Sequence, residues 1–366
     1  MLYLTIIMVV VGLVLMYSAS YANGIYYAGD GFYYVKRQAF FAVVGVLFMV
    51  GISYFKYEWL HQLSWVFFGL SYLLLCMTLL MSPINNSKRW IIIGGFTFQP
   101  SELIKFAIIL LFSHLISLDF KRMKDFNHGC LRFLLIYGAV AFIMLMQPHI
   151  SGLIIITILA FMMMLIGGTQ FKYLFRIAAV VVPIVVLIIY TSDTYRYAVE
   201  RVVTKFFGGD SSSTSYQVEQ ALIAIGSGGF WGQGLGNSRQ KMMYVPEAQN
   251  DFVFSIICEE LGFVGAVIII AMFTFFVFKG ISIALHCKDK FGSLLAFGVT
   301  FQIGLQAILN FGVVTSILPN TGISLPFFSQ GGTSLFILLC EVGVLLSVSR
   351  YSKINNKSEV AIQEGE

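Results

Sequence analysis

Long apolar runs, separated by short polar connections, organise this chain of 366 residues. Runs of about 20 residues recur along the sequence, and a helix of that length spans the hydrocarbon core of a bilayer. The pattern predicts an all-α polytopic membrane protein with ten transmembrane helices. Their expected ranges are 2–20, 38–55, 60–81, 101–118, 131–147, 150–168, 173–190, 252–278, 292–317 and 333–349.

The only long connection, residues 191–251, lies between the seventh and eighth predicted helices. Two amphipathic stretches flank its polar centre, and both predict either helices at the lipid–water boundary or a surface loop packed on the bundle. Their apolar stripes are Ala198, Val199, Val202, Val203 and Phe206, and then Val218, Ala221, Leu222 and Ile225. We therefore expect one membrane domain over 1–350, which includes this loop, and a cytoplasmic tail over 351–366.

Composition supports the membrane assignment. Hydrophobic residues make up 58% of the chain and charged residues 11%, against about 25% charged residues in soluble domains. The net charge of +5 is spread through the loops, which argues against a nucleic-acid partner. The five cysteines have no spacing typical of a metal site.

Positive charges in the loops predict the orientation. With the N-terminus inside, the cytoplasmic connections hold thirteen Lys and Arg residues, and the short outer loops hold four. Cytoplasmic loops carry the excess of such residues, so both termini are expected on the cytoplasmic side of the membrane. The first apolar run lacks a basic n-region and is expected to be a retained helix rather than a cleaved signal peptide.

Charged residues inside the spans are candidates for function, because each costs roughly 2.5–3.5 kcal/mol at a helix centre. Glu102 and Lys105 lie on one face at the start of the fourth helix. They predict either an ion pair with Lys105 turned outward to the boundary or a cation offered to an anionic headgroup. Glu259, Glu260 and Glu341 lie deeper in the eighth and tenth helices.

Asp251 lies where the long outer loop re-enters the membrane, in the segment VPEAQNDFVFSIICEELGFVG. At 100° per residue the adjacent Glu259 and Glu260 cannot both share its face, and both lie deeper. We expect Asp251 to be water-accessible and chemically usable, whereas the two glutamates hold helices together.

Two glycine-containing loops accompany this segment. The first loop, AIGSGGFWGQGLGNSRQK, has no phosphate-loop motif. Its glycines therefore predict close backbone packing. Arg239 and Lys241 are expected to be cations beside Asp251. LPNTGISLPFFSQGGTSL is uncharged. It predicts either an irregular segment packed against protein or a cavity, or an ordinary turn.

Five segments carry a resemblance to a known family. They are KRWI, QPSELIK, GNSRQK, PEAQNDFVFSIICEELGFVG and LPNTGISLPFFSQGG, in this order. The chain thereby resembles the SEDS family (shape, elongation, division, sporulation), whose members include FtsW, RodA and SpoVE. The GNSRQK segment and the PE that follows it resemble the FtsW and SpoVE group more than RodA.

The resemblance implies a peptidoglycan glycosyltransferase in the cytoplasmic membrane of a bacterium. It would polymerise lipid II, an undecaprenyl-pyrophosphate-linked disaccharide pentapeptide, at the outer face of that membrane. It also implies a class B penicillin-binding protein as partner, within the division, elongation or sporulation machinery. Asp251 matches the aspartate thought essential in the family and is the expected general base. The candidate substrate-binding residues are Lys88, Arg89, Trp90, Glu102, Lys105, Arg239, Lys241 and Glu247. The pyrophosphate could recruit a divalent cation such as Mg²⁺ or Mn²⁺, and no organic cofactor is expected.

Two other functions stay open at this point. A lipid II flippase would use Glu259, Glu260, Glu341 and His149 along an internal path, and a non-catalytic scaffold would dock the transpeptidase. The chain also departs from the family pattern. His149 stands where many members have aspartate, Gln330 stands where tyrosine is usual, and FFGGDSSSTS replaces a turn rich in tryptophan and proline.

Overall fold

The computed structural model describes residues 1–82, 88–93, 96–179 and 214–363. Over these residues the protein is a helical bundle with one short hairpin. The helices are α1 (Leu2–Ala28), α2 (Tyr33–Tyr54), α3 (Glu58–Met77), α4 (Pro100–Leu118), α5 (Arg132–Met146), α6 (Ile150–Ile166), α7 (described over 171–179), α8 (Thr214–Ser227), α9 (Val253–His286), α10 (Lys290–Val314) and α11 (Gly332–Gln363).

Eight helices of the described part are long and apolar enough to cross a membrane. They are Leu2–Ala28, Tyr33–Tyr54, Glu58–Leu80, Pro100–Leu118, Asn127–Met146, Val253–His286, Lys290–Val314 and Gly332–Ser352. The other two predicted spans differ: α6 is a shorter apolar helix, and most of 173–190 lies outside the described residues. The structure therefore confirms a polytopic helical protein, and the count of ten stays a prediction.

The all-helical expectation needs one correction before α4. Ile91–Ile93 (β1) pairs antiparallel with Phe96–Phe98 (β2), with Ile91 opposite Phe98. Each strand has three residues, III and FTF, which are too few to show an alternating pattern, so the sequence did not reveal this hairpin.

Helix α4 lies at the centre of the bundle. In its apolar window 72% of the residues are buried, compared with 22% in each of α2 and α3. The small residues Gly298 and Gly167 allow close packing around it, since a Cβ on Gly298 would lie 2.4 Å from Ile109 and one on Gly167 would lie 2.8 Å from Ile116. Polar groups that α4 carries are therefore enclosed by other helices instead of facing lipid.

The predicted surface stretches are resolved in part. The stretch around 196–206 lies outside the described residues. The second one forms α8, whose buried side contains Ala221 and Ala224, whereas Leu222 is 42% exposed. An exposed Leu222 is compatible with contact to lipid, so the choice between a helix at the lipid–water boundary and a loop packed on the bundle stays a prediction. At the other end of the chain, α11 continues through the expected tail to Gln363.

Helix α9 is broken at Gly262, which has φ 67° and ψ −165°. The break leaves backbone groups without intrahelical partners, and the loop that follows α8 supplies them. Gln233 N donates to Glu259 O (2.9 Å), Gly234 N donates to Glu260 O (3.0 Å), and Phe263 N donates to Gly229 O (3.0 Å). The expected role of this glycine-rich loop in close backbone packing is confirmed.

Candidate active site

Asp251 lies in the turn that leads into α9, two residues before the first helical residue, Val253. Its backbone carbonyl accepts a hydrogen bond from Asn310 Nδ2 (2.8 Å). Its carboxylate lies against Gly322, where an added Cβ would be 3.1 Å from Oδ2. The residue is half-buried, so the carboxylate lies at the edge of the bundle and is not sealed in its core.

Asn310 of α10 joins the segment that carries Asp251 to the uncharged loop at 318–331. The same amide nitrogen donates to Ile323 O (2.6 Å), and the side chain is fully buried. A buried amide that satisfies two carbonyls fixes both segments, because leaving either carbonyl unpaired costs roughly 1–3 kcal/mol. Asn310 therefore sets the distance between Asp251 and the backbone of the facing loop.

The uncharged loop is packed against protein, which confirms the expectation of an irregular segment held by the bundle. Gln38 of α2 donates through Nε2 to Ser329 O (3.2 Å) and accepts from Gly331 N (3.1 Å) through Oε1. Gln330 N donates to Gln249 O (2.9 Å). Gln249 also accepts from Asn23 of α1 (2.5 Å). Helix α2 thus holds the loop directly, and α1 holds it through Gln249.

The adjacent glutamates of α9 hold elements together, as the sequence predicted. Glu259 accepts hydrogen bonds from the Ser238 hydroxyl and from Arg239 N (2.9 Å). Glu260 accepts from Ser18 of α1 (2.6 Å) and pairs with Lys241 (2.8 Å).

The interpretation of Lys241 as a cation beside Asp251 needs correction. Its side chain is 3% exposed, and Nζ donates to Glu260, Ser18 Oγ (3.0 Å) and Gly236 O (2.7 Å). The sequence pattern does not indicate this pairing, because Ser18 and Glu260 belong to two helices, α1 and α9, whose contact with the loop depends on the fold. Arg239 and Glu247 are both exposed, and Asn250 Nδ2 donates to the Glu247 carboxylate (2.5 Å).

A second group of charges surrounds the start of α4. Lys105 pairs with Glu102 (2.8 Å), which confirms the expected ion pair. Lys105 is only 2% exposed, so the expectation that it turns outward is wrong. It interacts electrostatically with His149 and with Glu341, which accepts from Gln302 Nε2 (2.9 Å).

His149 lies in the connection between α5 and α6 and is 6% exposed. Burial, together with the positive charges of Arg89 and Lys105, holds the pKa of His149 well below its usual range. The imidazole is therefore neutral at neutral pH, and two cations lie near it.

The remaining candidates lie next to the hairpin. Lys88 Nζ donates to Leu79 O (3.1 Å), and Lys88, Arg89 and Trp90 are all half-buried. Thr333, the second residue of α11, donates to Thr97 O of β2 (2.9 Å). The loop at 318–331 therefore runs from Asp251 at one end to the hairpin at the other.

The sequence allowed a divalent cation at the active site. In the described part of the chain, no three His, Cys, Asp or Glu side chains lie close enough together to hold a metal ion. A divalent cation here would need ligands from the substrate, such as pyrophosphate oxygens.

Several positioning residues were not among the candidates drawn from the sequence, namely Asn23, Gln38, Gln249 and Asn310. A signal existed, since Gln38 and Asn310 are amides inside predicted apolar spans. An amide in such a span is buried with a partner or is unfavourable.

Comparison with known proteins places this architecture among related chains. The family model for the FtsW, RodA and SpoVE proteins, described as "Cell cycle protein", matches residues 1–354. The chain is 36% identical over 351 residues to a probable peptidoglycan glycosyltransferase FtsW of Geobacter sp. (strain M18), covering 94% of this chain and 95% of the relative. It is 35% identical over 356 residues to stage V sporulation protein E of Bacillus subtilis (strain 168), covering 96% of both.

Solved structures agree on the fold. A chain of a peptidoglycan synthase complex, studied for the coordination of polymerization and crosslinking, superposes with a TM-score of 0.76 at 23% identity and covers 96% of both chains. The rod shape determining protein RodA of Thermus thermophilus superposes with a TM-score of 0.67 at 25% identity and covers 95% of both chains.

Proposed function

This chain belongs to the FtsW, RodA and SpoVE family, and on that premise we propose that it is a peptidoglycan glycosyltransferase that polymerises lipid II. Relatives that match nearly its whole length carry the name "Probable peptidoglycan glycosyltransferase FtsW". The observation that carries the proposal is the position of Asp251, a half-buried residue at the edge of an apolar bundle. Asn310 holds its backbone carbonyl, and its carboxylate faces Gly322.

Glycosyl transfer with inversion needs a base at the acceptor. The acceptor hydroxyl oxygen bonds to the anomeric carbon of the donor sugar as the bond from that carbon to the pyrophosphate oxygen breaks. Asp251 takes the hydroxyl proton as the general base. Gly322 leaves space beside Oδ2 for that hydroxyl, since a Cβ would stand 3.1 Å away.

The leaving pyrophosphate needs positive charge, which stabilises it more strongly where water is excluded. Arg89 and Lys105 provide that charge near the start of α4, with Lys88 and Arg239 as further candidates. Trp90, which adjoins β1, offers a flat face to a sugar ring. Lys241 is withdrawn from this role because Glu260, Ser18 and Gly236 accept hydrogen bonds from its ammonium group, whereas within the described residues the ammonium group of Lys105 donates to Glu102 alone.

A cavity of about 420 Å³ provides a place for the prenyl chain. It opens between α2, α3, α4 and α11 and is lined by Phe55, Phe67, Leu103, Phe106, Phe336 and Ile337, among others. Leu103 adjoins Glu102 in the first turn of α4. A lipid whose pyrophosphate lies near Lys105 can therefore bury its chain in this cavity without leaving the membrane.

The finer features belong to the same proposal. We place ten spans in the cytoplasmic membrane, both termini in the cytoplasm and the active site at the outer face. We assign a class B penicillin-binding protein as partner, within the division, elongation or sporulation machinery. The fold match to a chain of a peptidoglycan synthase complex supports a partnered enzyme.

Reconstitution tests this function against the two alternatives. The full chain, with its cognate penicillin-binding protein, is placed in vesicles that contain fluorescent lipid II. We expect glycan chains that lengthen with time and disappear on lysozyme digestion. Lipid II that crosses the bilayer without forming polymer would favour a transporter, and neither result with an intact complex would favour a scaffold.

A further inference from the structure

A polar cavity of about 360 Å³ lies where α9 ends, at the opposite end of that helix from Asp251. Met1, which precedes α1, also lines it. The polar lining residues are Lys279, Ser282 and His286 of α9 and Ser349 and Ser352 of α11. Within the described residues, no carboxylate side chain belongs to this wall. A lysine and several hydroxyl groups without a carboxylate favour an anionic ligand.

The end of α9 would repel an anion if its carbonyl groups were open, because a helix C-terminus carries partial negative charge. Three carbonyls of its last turn and a half accept hydrogen bonds from side chains. Ser293 Oγ donates to Ala284 O (2.7 Å), and Ser352 Oγ donates to His286 O (3.1 Å). Nδ1 of His286 donates to Ser282 O (2.7 Å). These bonds reduce the repulsion at this end of α9.

The other polar groups of the cavity are available to a ligand. The ammonium group of Lys279 lies 5.3 Å from the centre of the Phe275 ring and has no carboxylate partner among the described residues. The hydroxyl groups of Ser282 and Ser349 likewise have no hydrogen-bond partner there. Because Nδ1 of His286 carries a proton, Nε2 of the neutral ring is an acceptor. The cavity therefore fits a ligand that combines a negative charge with a hydroxyl group.

Exposed apolar side chains adjoin the cavity on the surface of the bundle. Phe278, next to Lys279, is 66% exposed, and Leu285, next to His286, is 78% exposed. Tyr3 at the start of α1 is 80% exposed. In a membrane-spanning bundle such side chains contact lipid. A phospholipid bound through its headgroup can pack its acyl chains on them, and a soluble phosphate ester cannot.

We propose that this cavity binds the headgroup of an anionic phospholipid from the cytoplasmic leaflet, such as phosphatidylglycerol. Lys279 pairs with the phosphodiester, and the hydroxyl groups of Ser282 and Ser349 donate to its oxygens. Nε2 of His286 accepts a hydrogen bond from a hydroxyl group of the headgroup. A zwitterionic headgroup fits less well, because its own cation would lie near Lys279 with no carboxylate in the wall to pair with it.

The site goes beyond the proposed function and does not depend on it. The assignment to the cytoplasmic leaflet follows from the orientation proposed above, whereas the chemistry of the headgroup follows from the lining residues alone. Binding in detergent therefore tests the site without reference to orientation or to glycan synthesis.

Native mass spectrometry of the full-length protein in neutral detergent tests the site, with phosphatidylglycerol titrated in and bound lipids counted. We expect Lys279→Gln to raise the lipid concentration for half-occupancy of the first site about five- to tenfold, because the headgroup loses a nearby cation. Lys279→Arg, which keeps the charge, should bind like the parent. Ser349→Ala should weaken binding about threefold or more, because one donor is lost.

Lys172→Gln is the matched control. Lys172 is also an exposed lysine, with Nζ 5.0 Å from the centre of the adjacent Tyr173 ring, but it does not line the cavity. Its replacement removes the same charge and the same kind of ring contact, and phosphatidylglycerol binding should match that of the parent.

Unchanged phosphatidylglycerol binding in both Lys279→Gln and Ser349→Ala, with melting temperatures like that of the parent, would overturn the proposal. Equal binding of phosphatidylcholine and phosphatidylglycerol by the parent would also contradict it. Soluble glycerol phosphate serves as the competitor. Failure to displace the lipid supports a phospholipid site, whereas displacement at equal concentration would assign the cavity to a free phosphate ester and contradict the proposal.

Discussion

Asn310 illustrates how one polar side chain inside an apolar span positions a reactive group. Its amide ties the Asp251 carbonyl to the Ile323 carbonyl and is fully buried. The sequence placed Asp251 correctly at the start of the eighth span, because the charge and the end of the loop coincide there. It could not place Lys241 or Lys105, since the partner of Lys241 and the enclosure of α4 depend on contacts between distant segments.

Gly322 provides a test of the space beside the carboxylate. We expect Gly322→Ala to reduce polymerisation at least tenfold, because the new Cβ would stand 3.1 Å from Asp251 Oδ2, where the acceptor hydroxyl must approach. Initial rates of glycan formation measure the effect, and melting temperature reports the cost of φ +69°.

Gly29→Ala is the matched control for this change. Gly29 has φ +67° and nothing within 4 Å of an added Cβ, so it reproduces the backbone strain without the contact. Equal activity of the two variants would show that the approach to Asp251 is not limited at Gly322.

At the scale of elements, the broken helix α9 and the glycine-rich loop form one unit. Hydropathy predicted an uninterrupted span over 252–278, and the apolar pattern indeed continues across the break. Hydropathy carries no information about backbone conformation, and Gly262 has a positive φ that residues with side chains rarely adopt. The loop glycines indicated close packing, but their partner became visible only in the contacts of Gln233 and Gly234 with the carbonyls of α9.

Gly232→Ala is expected to destabilise this unit by roughly 1–3 kcal/mol or more. Its φ is +82°, and an added Cβ would lie 2.2 Å from Glu260 O. A lowered melting temperature of the purified protein in detergent measures the loss. Gly226→Ala, in α8 with nothing within 4 Å, should melt at or above the parent temperature; identical melting of both variants would contradict the described packing.

At the scale of the whole molecule, the pattern of apolar runs identified the spans but not their arrangement. Eight of the ten predicted ranges correspond to helices long enough to cross the membrane. The central position of α4 was not predictable, because its mean hydropathy of 1.7 equals that of the peripheral α2. The family resemblance, carried by five short segments, is confirmed over residues 1–354.

The orientation of the bundle can be tested with single cysteines in a variant whose five native cysteines are replaced by serine. Asn237→Cys and Glu58→Cys are both exposed positions, on opposite sides in the predicted topology. A membrane-impermeant maleimide should label Asn237→Cys in intact cells and Glu58→Cys only after permeabilisation. The reverse labelling pattern would mean that the protein has the opposite orientation in the membrane, with Asp251 at the cytoplasmic face.

The most direct test of the account is the polymerisation rate of Asp251→Asn with the cognate partner and labelled lipid II. A general base contributes roughly 10²–10⁴-fold to rate, so we predict a loss of that size with unchanged lipid II binding and melting temperature. Asp289→Asn is the matched control, because Asp289 caps α10 through Gly292 N (2.9 Å) and asparagine caps equally well; it should retain full activity. Polymer formed by Asp251→Asn at the rate of the native protein would contradict the role assigned to this carboxylate.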